Sequence, residues 1–362
     1  MSKTNKNPLK YFGLLRLVVA ISIALIITTG IIFIVSENPM ESLNALLVGP
    51  ISSKRYIFNV LEMMVPLMFT GLSISLVFKS GNFSMITDAS FYVGAVIASF
   101  IAIKMPLPEA IHPAVAIFLA GFVGGLIGMI PAILKTKFKA NELVTSLMFN
   151  YVFFYCGLYI VNTFLIDPAA SAFASLKFEK TAKLDMLTTG TRLHTGFIIG
   201  LVVCVLLYLF LTRTKWGYEI RIVGSNSKFA RYSGMNSKKV ILYTSFISGF
   251  VGAMGGAIEK LGMYNRFQWA SAPSYAWDGV IISILSSNNP LFVPIAAFFL
   301  SYIRIGADIM ARQTGVQNEI VSLIQGMIIL LVTAERFLFF LKQKKESEIA
   351  LQKNAQKIEE GV

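Results

Sequence analysis

The chain has 362 residues, of which 55% are hydrophobic and only 14% are charged. Soluble domains of this size usually contain about a quarter charged residues, so the composition excludes an ordinary soluble protein. A bilayer-spanning helix needs about 20 apolar residues, and ten such helices would use roughly 200 residues of this chain. The composition therefore predicts an all-α polytopic membrane protein.

The charge is strongly basic, with 32 Lys and Arg residues against 19 Asp and Glu residues and a net charge of +13. Membrane proteins concentrate Lys and Arg in their cytoplasmic loops, which explains this excess without a nucleic-acid partner. The two cysteines, Cys156 and Cys204, lie in apolar runs, and the two histidines, His112 and His194, have no ligand-spaced partner. The sequence thus predicts neither a disulfide framework nor a bound metal.

Ten apolar runs are candidate transmembrane helices. In chain order they are 14–35, 57–78, 85–103, 114–134, 143–166, 196–212, 240–258, 274–285, 291–305 and 316–340. The run 274–285 is short, and eight crossings satisfy the charge pattern as well as ten do. Both counts place the tails 1–13 and 341–362 in the cytoplasm, on either side of a transmembrane domain over residues 14–340.

Small residues on two of these runs have the spacing that lets helices approach closely. Gly121, Gly124, Gly125 and Gly128 form two overlapping GxxxG pairs, and Gly252 with Gly256 forms a third. Because GxxxG occurs in many unrelated spans, it predicts ordinary helix packing here and no particular function.

The loop over residues 213–239 carries seven basic side chains and a single acid, Glu219, which is the strongest cytoplasmic signal in the chain. Asn226 is a typical N-cap for a short helix over residues 227–232. Such a helix could lie on anionic lipid, serve as a solvated connector, or dock on a partner protein. By contrast, residues 167–195 have nearly balanced charge and are expected to form an external loop or a short surface helix.

The same loop resembles a known segment. Its characteristic residues are Gly217, Glu219, Arg221, Gly224, Asn226, Ala230, Arg231 and Gly234. This pattern is similar to the coupling segment of permease subunits in bacterial ABC importers for simple sugars and nucleosides. Further blocks at 141–151, 277–279, 288–290 and 314–326 agree in order, and the resemblance covers about residues 71–332.

This resemblance implies a short cytoplasmic coupling helix that docks on a separate ABC ATPase, with ATP and Mg bound by that partner and no cofactor bound by this chain. It also implies a second permease, identical or related, and an extracytoplasmic solute-binding protein. The chain contains no phosphate-binding loop of the Gly-x-x-x-x-Gly-Lys-Ser/Thr type. We therefore expect a multi-pass transporter subunit of the bacterial cytoplasmic membrane and not an enzyme.

The block at 83–90 departs from the family. Nucleoside-type members usually show Phe-Asn-Ile-Gly-x-Glu-Gly-Gln, whereas this chain has Phe-Ser-Met-Ile-Thr-Asp-Ala-Ser. Asp88 retains the carboxylate, and it could bind a ribose hydroxyl or brace a helix start. Nucleosides are the first expected solutes, simple sugars such as ribose or galactose the second, and riboflavin-like solutes the third.

Polar and aromatic side chains inside the spans are the candidate pathway residues. They are Phe83, Asp88, Phe91, Tyr92, Asn150, Asp278 and Gln325. Asn150 and Gln325 could instead form interhelical hydrogen bonds, and Asp278 could instead pair with Arg266. An ion-coupled secondary transporter is the alternative class, but the halves show no convincing inverted repeat.

Overall fold

The computed structural model describes residues 38–188 and 190–314, and the isolated positions 29, 30, 32, 33 and 326. Apart from those isolated positions, the predicted first and last spans, both tails and Gln325 lie outside the described residues. The helices with defined bounds are α1 (Pro39–Leu47), α2 (Lys54–Lys79), α3 (Thr87–Lys104), α4 (His112–Phe138), α5 (Glu142–Ile160), α6 (Gly196–Arg213), α7 (Lys215–Ser225), α8 (Ser227–Tyr232), α9 (Ser237–Met263), α10 (Tyr275–Leu285) and α11 (Val293–Thr314).

Seven helical segments in the described residues are long and apolar enough to cross a membrane. They are α2, α3, α4, α5 with its π-helical extension to Leu165, α6, α9 and the segment Pro290–Thr314. Each coincides with a predicted span. The predicted run 274–285 forms α10, whose 11 residues reach only about 16 Å against a hydrocarbon core of about 30 Å. A total of ten crossings therefore stays a prediction.

Helix α9 packs closely against α3 and α4 through small residues. A Cβ atom added at Gly124 would lie 2.1 Å from the Cβ of Ala253, and one added at Gly249 would lie 2.3 Å from the carbonyl oxygen of Gly124. At Gly256 the added atom would lie 1.9 Å from the carbonyl oxygen of Phe91. The backbones of these helices are in contact, which confirms the packing interpretation of the GxxxG pairs.

Helix α3 begins inside the bundle. The Thr87 hydroxyl lies 2.9 Å from the hydroxyl of Ser73, which precedes the end of α2 at Lys79 by six residues, or about 9 Å along the helix. The chain therefore returns into the bundle as the non-helical segment 82–86, in which Asn82, Ser84, Met85 and Ile86 are buried. Buried non-helical backbone needs hydrogen-bond partners from neighbouring helices.

The described residues of the stretch 167–195, namely 167–188 and 190–195, are irregular. They contain a single 3-10 turn, Lys180–Ala182, and take part in two isolated bridges, Ile166 with Ser175 and Met186 with His194. Of the two predicted alternatives, a loop or a short surface helix, this segment is a loop.

The described residues divide into two compact units, one within residues 51–302 and one that contains the described positions of residues 1–50 and 303–362. In the smaller unit Gly306 allows close packing on α1, since an added Cβ would lie 2.2 Å from the carbonyl oxygen of Leu46. The features that bear on function lie in the larger unit.

Candidate functional site

The basic loop contains two helices, of which one was predicted. Helix α8 has the expected bounds, Ser227–Tyr232, and the Asn226 side chain accepts a hydrogen bond from the Phe229 N–H at 3.0 Å. Helix α7 was not predicted, because Gly217 and Gly224 suggested breaks in the chain. Its N-terminus is capped by Thr214, whose hydroxyl accepts from the Gly217 N–H at 3.1 Å.

These two glycines allow close backbone contacts. A Cβ at Gly217 would lie 2.2 Å from the carbonyl oxygen of Phe210 at the end of α6. A Cβ at Gly224 would lie 2.0 Å from the carbonyl oxygen of Lys79, in the turn that joins α2 to α3. Gly81 in that turn has φ +74°, and a Cβ added there would meet the backbone of Gly224. The predicted coupling segment therefore touches the chain just before the buried start of α3.

The exposed face of α8 is aromatic and basic. Phe229 is 55% exposed and Tyr232 is 92% exposed, and Arg231 is exposed beside them, whereas Ala230 is fully buried. Glu219 accepts a hydrogen bond from the hydroxyl of Tyr243 at 3.2 Å. Among the predicted coupling residues, Glu219 and Ala230 thus hold the segment on the bundle, while Arg231 is available to a partner. The exposed aromatics Phe229 and Tyr232 were not among the predicted coupling residues.

A second candidate site is a cavity of about 330 Å³ between α3, α5 and the start of α10. Three predicted pathway residues line it together, namely Asp88, Tyr92 and Asn150. Trp277, Phe154 and Ser271 also line it and were not predicted. Phe83 instead stacks on Phe78, with ring centroids 4.7 Å apart, and Phe91 is buried behind the cavity against Trp269 and Tyr275.

Asp88 braces a helix start, but not that of its own helix. Its Oδ1 atom accepts a hydrogen bond from the N–H of Ala276 at 3.0 Å, in the first turn of α10. Ser274, which precedes that turn, has φ +56° and gives no side-chain cap. Asp88 therefore satisfies a free N–H that the local sequence leaves without a cap.

Asp278 is buried close enough to Asp88 for the two carboxylates to interact electrostatically. Arg266, its predicted salt-bridge alternative, pairs with Asp167 at 3.0 Å.

Asn150 on α5 satisfies the backbone at the start of α3. Its Oδ1 atom accepts from the Ala89 N–H at 3.2 Å, and its Nδ2 atom donates to the Met85 carbonyl at 2.9 Å. The hydroxyl of Ser146 accepts from the Met85 N–H at 3.0 Å. The interhelical hydrogen bonding expected of Asn150 is confirmed, and it holds the recessed helix start beside the cavity.

Tyr92 has a polar atom without a hydrogen-bond partner among the described residues. This hydroxyl is buried, and the ring of Tyr92 lies 4.9 Å from that of Phe154. A buried hydroxyl without a partner is costly. The cavity combines aromatic faces with a phenol, a carboxylate and an amide, so it can bind a polar solute that contains a ring.

Ionisable residues deep in the helices were largely missed. Glu62 on α2 and the adjacent Glu259 and Lys260 on α9 are buried. Sequence analysis ended the seventh span at residue 258, because two charges follow; the helix instead continues to Met263. The two charges were the available signal, since ionisable groups at membrane depth are functional candidates.

The histidines have structural roles. The ring of His112 lies 2.9 Å from the Thr181 hydroxyl, and His194 Nδ1 accepts from the Gly196 N–H at 3.1 Å. Burial lowers the pKa of His194 to about 4, so its ring is neutral at physiological pH. Among the described residues, no group of three or more His, Cys, Asp and Glu side chains is placed to hold a metal ion.

Comparisons with known proteins show the family of the chain. The family described as "Branched-chain amino acid transport system / permease component" matches residues 56–333. The guanosine ABC transporter permease NupP of Bacillus subtilis is 30% identical over 336 residues, 91% of this chain and 96% of that protein.

Two further relatives are more distant. A glucose ABC transporter permease of Haloferax volcanii is 28% identical over 83% of this chain and 82% of its own length. The nucleoside ABC transporter permease NupB of Lactococcus lactis is 24% identical over 82% of this chain and 84% of its own length. No solved structure matches. The resemblance carried by the coupling segment is thus confirmed, and the chain belongs to this family of multi-pass transport permeases.

Proposed function

We propose that this chain is the permease subunit of an ABC importer and forms the translocation pathway for nucleosides by alternating access. The observation that carries the proposal is the match over 96% of the length of a guanosine permease. The chemistry of the cavity supports the same solute class. A nucleoside has a planar base for the exposed ring of Trp277 and hydroxyl groups for the polar side chains.

Coupling to a partner ATPase is assigned to α8. Phe229, Arg231 and Tyr232 present an exposed surface of the aromatic and arginine type that dominates protein interfaces. Closure of the ATPases around ATP and Mg would displace α8 and α7. Because Gly224 is in backbone contact with the turn before α3, this displacement reaches the segment 82–86 and, after it, Asp88 in the first turn of α3. This chain binds no nucleotide in the proposal.

A second permease copy, identical or related, is assigned to the exposed face of α5. Tyr151, Tyr155 and Tyr159 recur every four residues on this face, and the first two also line the cavity. Hydroxyl groups are unfavourable against lipid tails, so this face fits a polar pathway between two subunits. The cavity would then open onto the axis of the pair.

The remaining assignments follow the charge pattern. We place the transmembrane domain at residues 14–340 in the cytoplasmic membrane, with ten crossings and both tails in the cytoplasm. Residues 213–239 are then cytoplasmic, and residues 167–195 face outward, where a solute-binding protein delivers the solute.

Simple sugars are the second candidate, supported by the glucose permease of Haloferax volcanii. A probable riboflavin import permease of Treponema pallidum, 21% identical over 88% of this chain, supports riboflavin-like solutes more weakly. An ion-coupled secondary transporter has no corresponding relative among these matches.

Uptake by the native organism separates these solutes. We expect that deleting this chain abolishes energised import of labelled guanosine, and that re-expression restores it. Unlabelled adenosine or cytidine should compete with guanosine, whereas ribose, glucose and riboflavin should not. Competition by a sugar or riboflavin alone would overturn the nucleoside assignment and leave the family unchanged.

A further inference from the structure

Lys260 is a buried cation enclosed by aromatic rings. Its ammonium nitrogen lies 3.4 Å from the ring centroid of Trp269, 4.0 Å from that of Tyr264 and 4.7 Å from that of Phe267. The side chain is fully buried, and in the described part of the chain Nζ has no hydrogen-bond acceptor. When Lys260 is protonated, the ring faces take the place of water around its ammonium group, and the adjacent Glu259 attracts the charge.

The α9–α10 loop, residues 264–274, does not need Lys260 to keep its backbone in place. The N–H of Phe267 donates to the Ser175 hydroxyl at 2.9 Å, and the N–H of Ser175 donates to the Phe267 carbonyl at 2.9 Å. The N–H of Phe178 donates to the Asn265 carbonyl at 2.9 Å. What Lys260 adds is the orientation of the rings, above all that of Trp269.

Trp269 connects this cage to the solute cavity. Its indole is stacked on the rings of Phe91 and Tyr92, with centroids 6.0 Å and 6.4 Å apart. Tyr92 lines the cavity, and so do Ala270 and Ser271, which directly follow Trp269 in the loop. The order of contacts is therefore Lys260, Trp269, Tyr92 and then the cavity.

We propose that Lys260 is a positioning residue, whose ammonium fixes the indole of Trp269 so that Trp269 holds the ring of Tyr92 in the wall of the solute cavity. This proposal rests on the proposed function for its effect on transport, but not for its effect on Trp269. Lys260 has no part in the proposed solute pathway or in the coupling segment, and this proposal gives it a role.

The first test measures Trp269 alone, in the purified full-length chain in lipid nanodiscs. The substitutions Trp216→Phe and Trp277→Phe leave Trp269 as the single tryptophan. Lys260→Met keeps a long unbranched side chain and removes the charge. It should raise the acrylamide quenching constant of Trp269 by about threefold, because the cation–π contacts are lost. Lys260→Arg should preserve the wild-type value. Lys180→Met is the matched control, since Lys180 is exposed.

The second test measures guanosine uptake with all tryptophans intact. We expect Lys260→Met to raise the half-saturation concentration by about tenfold with little change in maximal rate, and Lys260→Arg to restore it. If Lys260→Met fails to fold, Glu259→Gln with Lys260→Met removes both buried charges and gives the same two readouts.

Unchanged quenching in Lys260→Met, or in Glu259→Gln with Lys260→Met, overturns the proposal. So does a loosened Trp269 with unchanged guanosine affinity, because Trp269 would then not support the cavity wall. If the wild-type chain imports no nucleoside, the proposed solute fails, and the quenching measurement alone still decides whether Lys260 positions Trp269.

Discussion

The coupling segment and the solute cavity both depend on capped helix starts, but the caps come from different distances along the chain. Helix α8 is capped by Asn226, three residues before the N–H that it binds. Helix α10 is capped by Asp88, 188 residues away, and the start of α3 is held by Asn150, 61 residues away. Capping from within the segment makes α8 a local structure, whereas the cavity exists only when the bundle is assembled.

The local cap of α8 and the remote caps at the cavity suit different roles. A local cap can change without disturbing distant helices, so in the proposed function the coupling segment would move as a unit against the partner ATPase. Remote caps tie α3, α5 and α10 to one another at the cavity. A solute that displaced Asp88 from Ala276 would therefore change the packing of α10, which offers a physical link between binding and conformational change.

The largest effect is expected where the two regions touch. Gly224→Ala places a Cβ 2.0 Å from the Lys79 carbonyl oxygen, so the backbones must separate. We expect solute-stimulated ATP hydrolysis by the reconstituted importer to fall at least about tenfold, the equivalent of about 1.4 kcal/mol, while membrane insertion is retained.

Gly190→Ala, outside the coupling segment, is the matched control for this substitution. Gly190 has φ +78° but no atom within 4 Å of an added Cβ, so only backbone strain of about 1–2 kcal/mol is expected. Native hydrolysis in Gly224→Ala would show that the contact does not transmit coupling.

Loss of a remote cap should reduce stability next most strongly. Asn150→Ala leaves the Ala89 N–H and the Met85 carbonyl without their partner, and each buried unsatisfied group costs about 1–3 kcal/mol. Thermal unfolding of the purified chain in detergent measures this loss. Asn162→Ala, at an exposed position on the same segment, should change stability by less than about 0.5 kcal/mol. Equal effects of the two substitutions would contradict the bracing role of Asn150.

Two substitutions separate the capping role of Asp88 from the role of its charge. Asp88→Asn retains an acceptor for the Ala276 N–H, whereas Asp88→Ala removes it and should cost about 1 kcal/mol of unfolding free energy. If the carboxylate also contacts the solute, Asp88→Asn alters guanosine affinity in an uptake assay at unchanged stability. Unchanged uptake in Asp88→Asn would leave Asp88 with the capping role alone.

The smallest effect is expected at the local cap. Asn226→Ala removes the hydrogen bond to the Phe229 N–H and should weaken α8 by about 1 kcal/mol, whereas Asn226→Ser keeps a capping oxygen. Amide hydrogen exchange in α8 should accelerate about fivefold in the alanine variant, with exchange in α3 and α10 unchanged. Faster exchange in α10 as well would show that the two regions are not separable in this way.

Sequence analysis succeeded where the determining interactions are local. The bounds of α8 follow from Asn226, and the seven described spans follow from apolar runs. The glycine pairs predict ordinary close helix packing, which the structure shows between α9 and the helices α3 and α4.

The features that depend on a partner distant along the chain could not be predicted from the sequence. The recessed start of α3 depends on Asn150, the role of Asp88 depends on Ala276, and the burial of Lys260 depends on rings in the next loop. Among the predicted pathway residues, Asp88, Tyr92 and Asn150 meet at one cavity, because all three lie near the same helix starts.

The central claim is that this permease works with an ATPase partner. It is tested most directly by purifying the chain from its native membrane in mild detergent and identifying the associated proteins by mass spectrometry. We predict an ABC ATPase in stoichiometric amount, lost when the exposed α8 residues Phe229 and Tyr232 are both replaced by Ala. A chain that purified alone and still transported its solute in vesicles without ATP would contradict the claim.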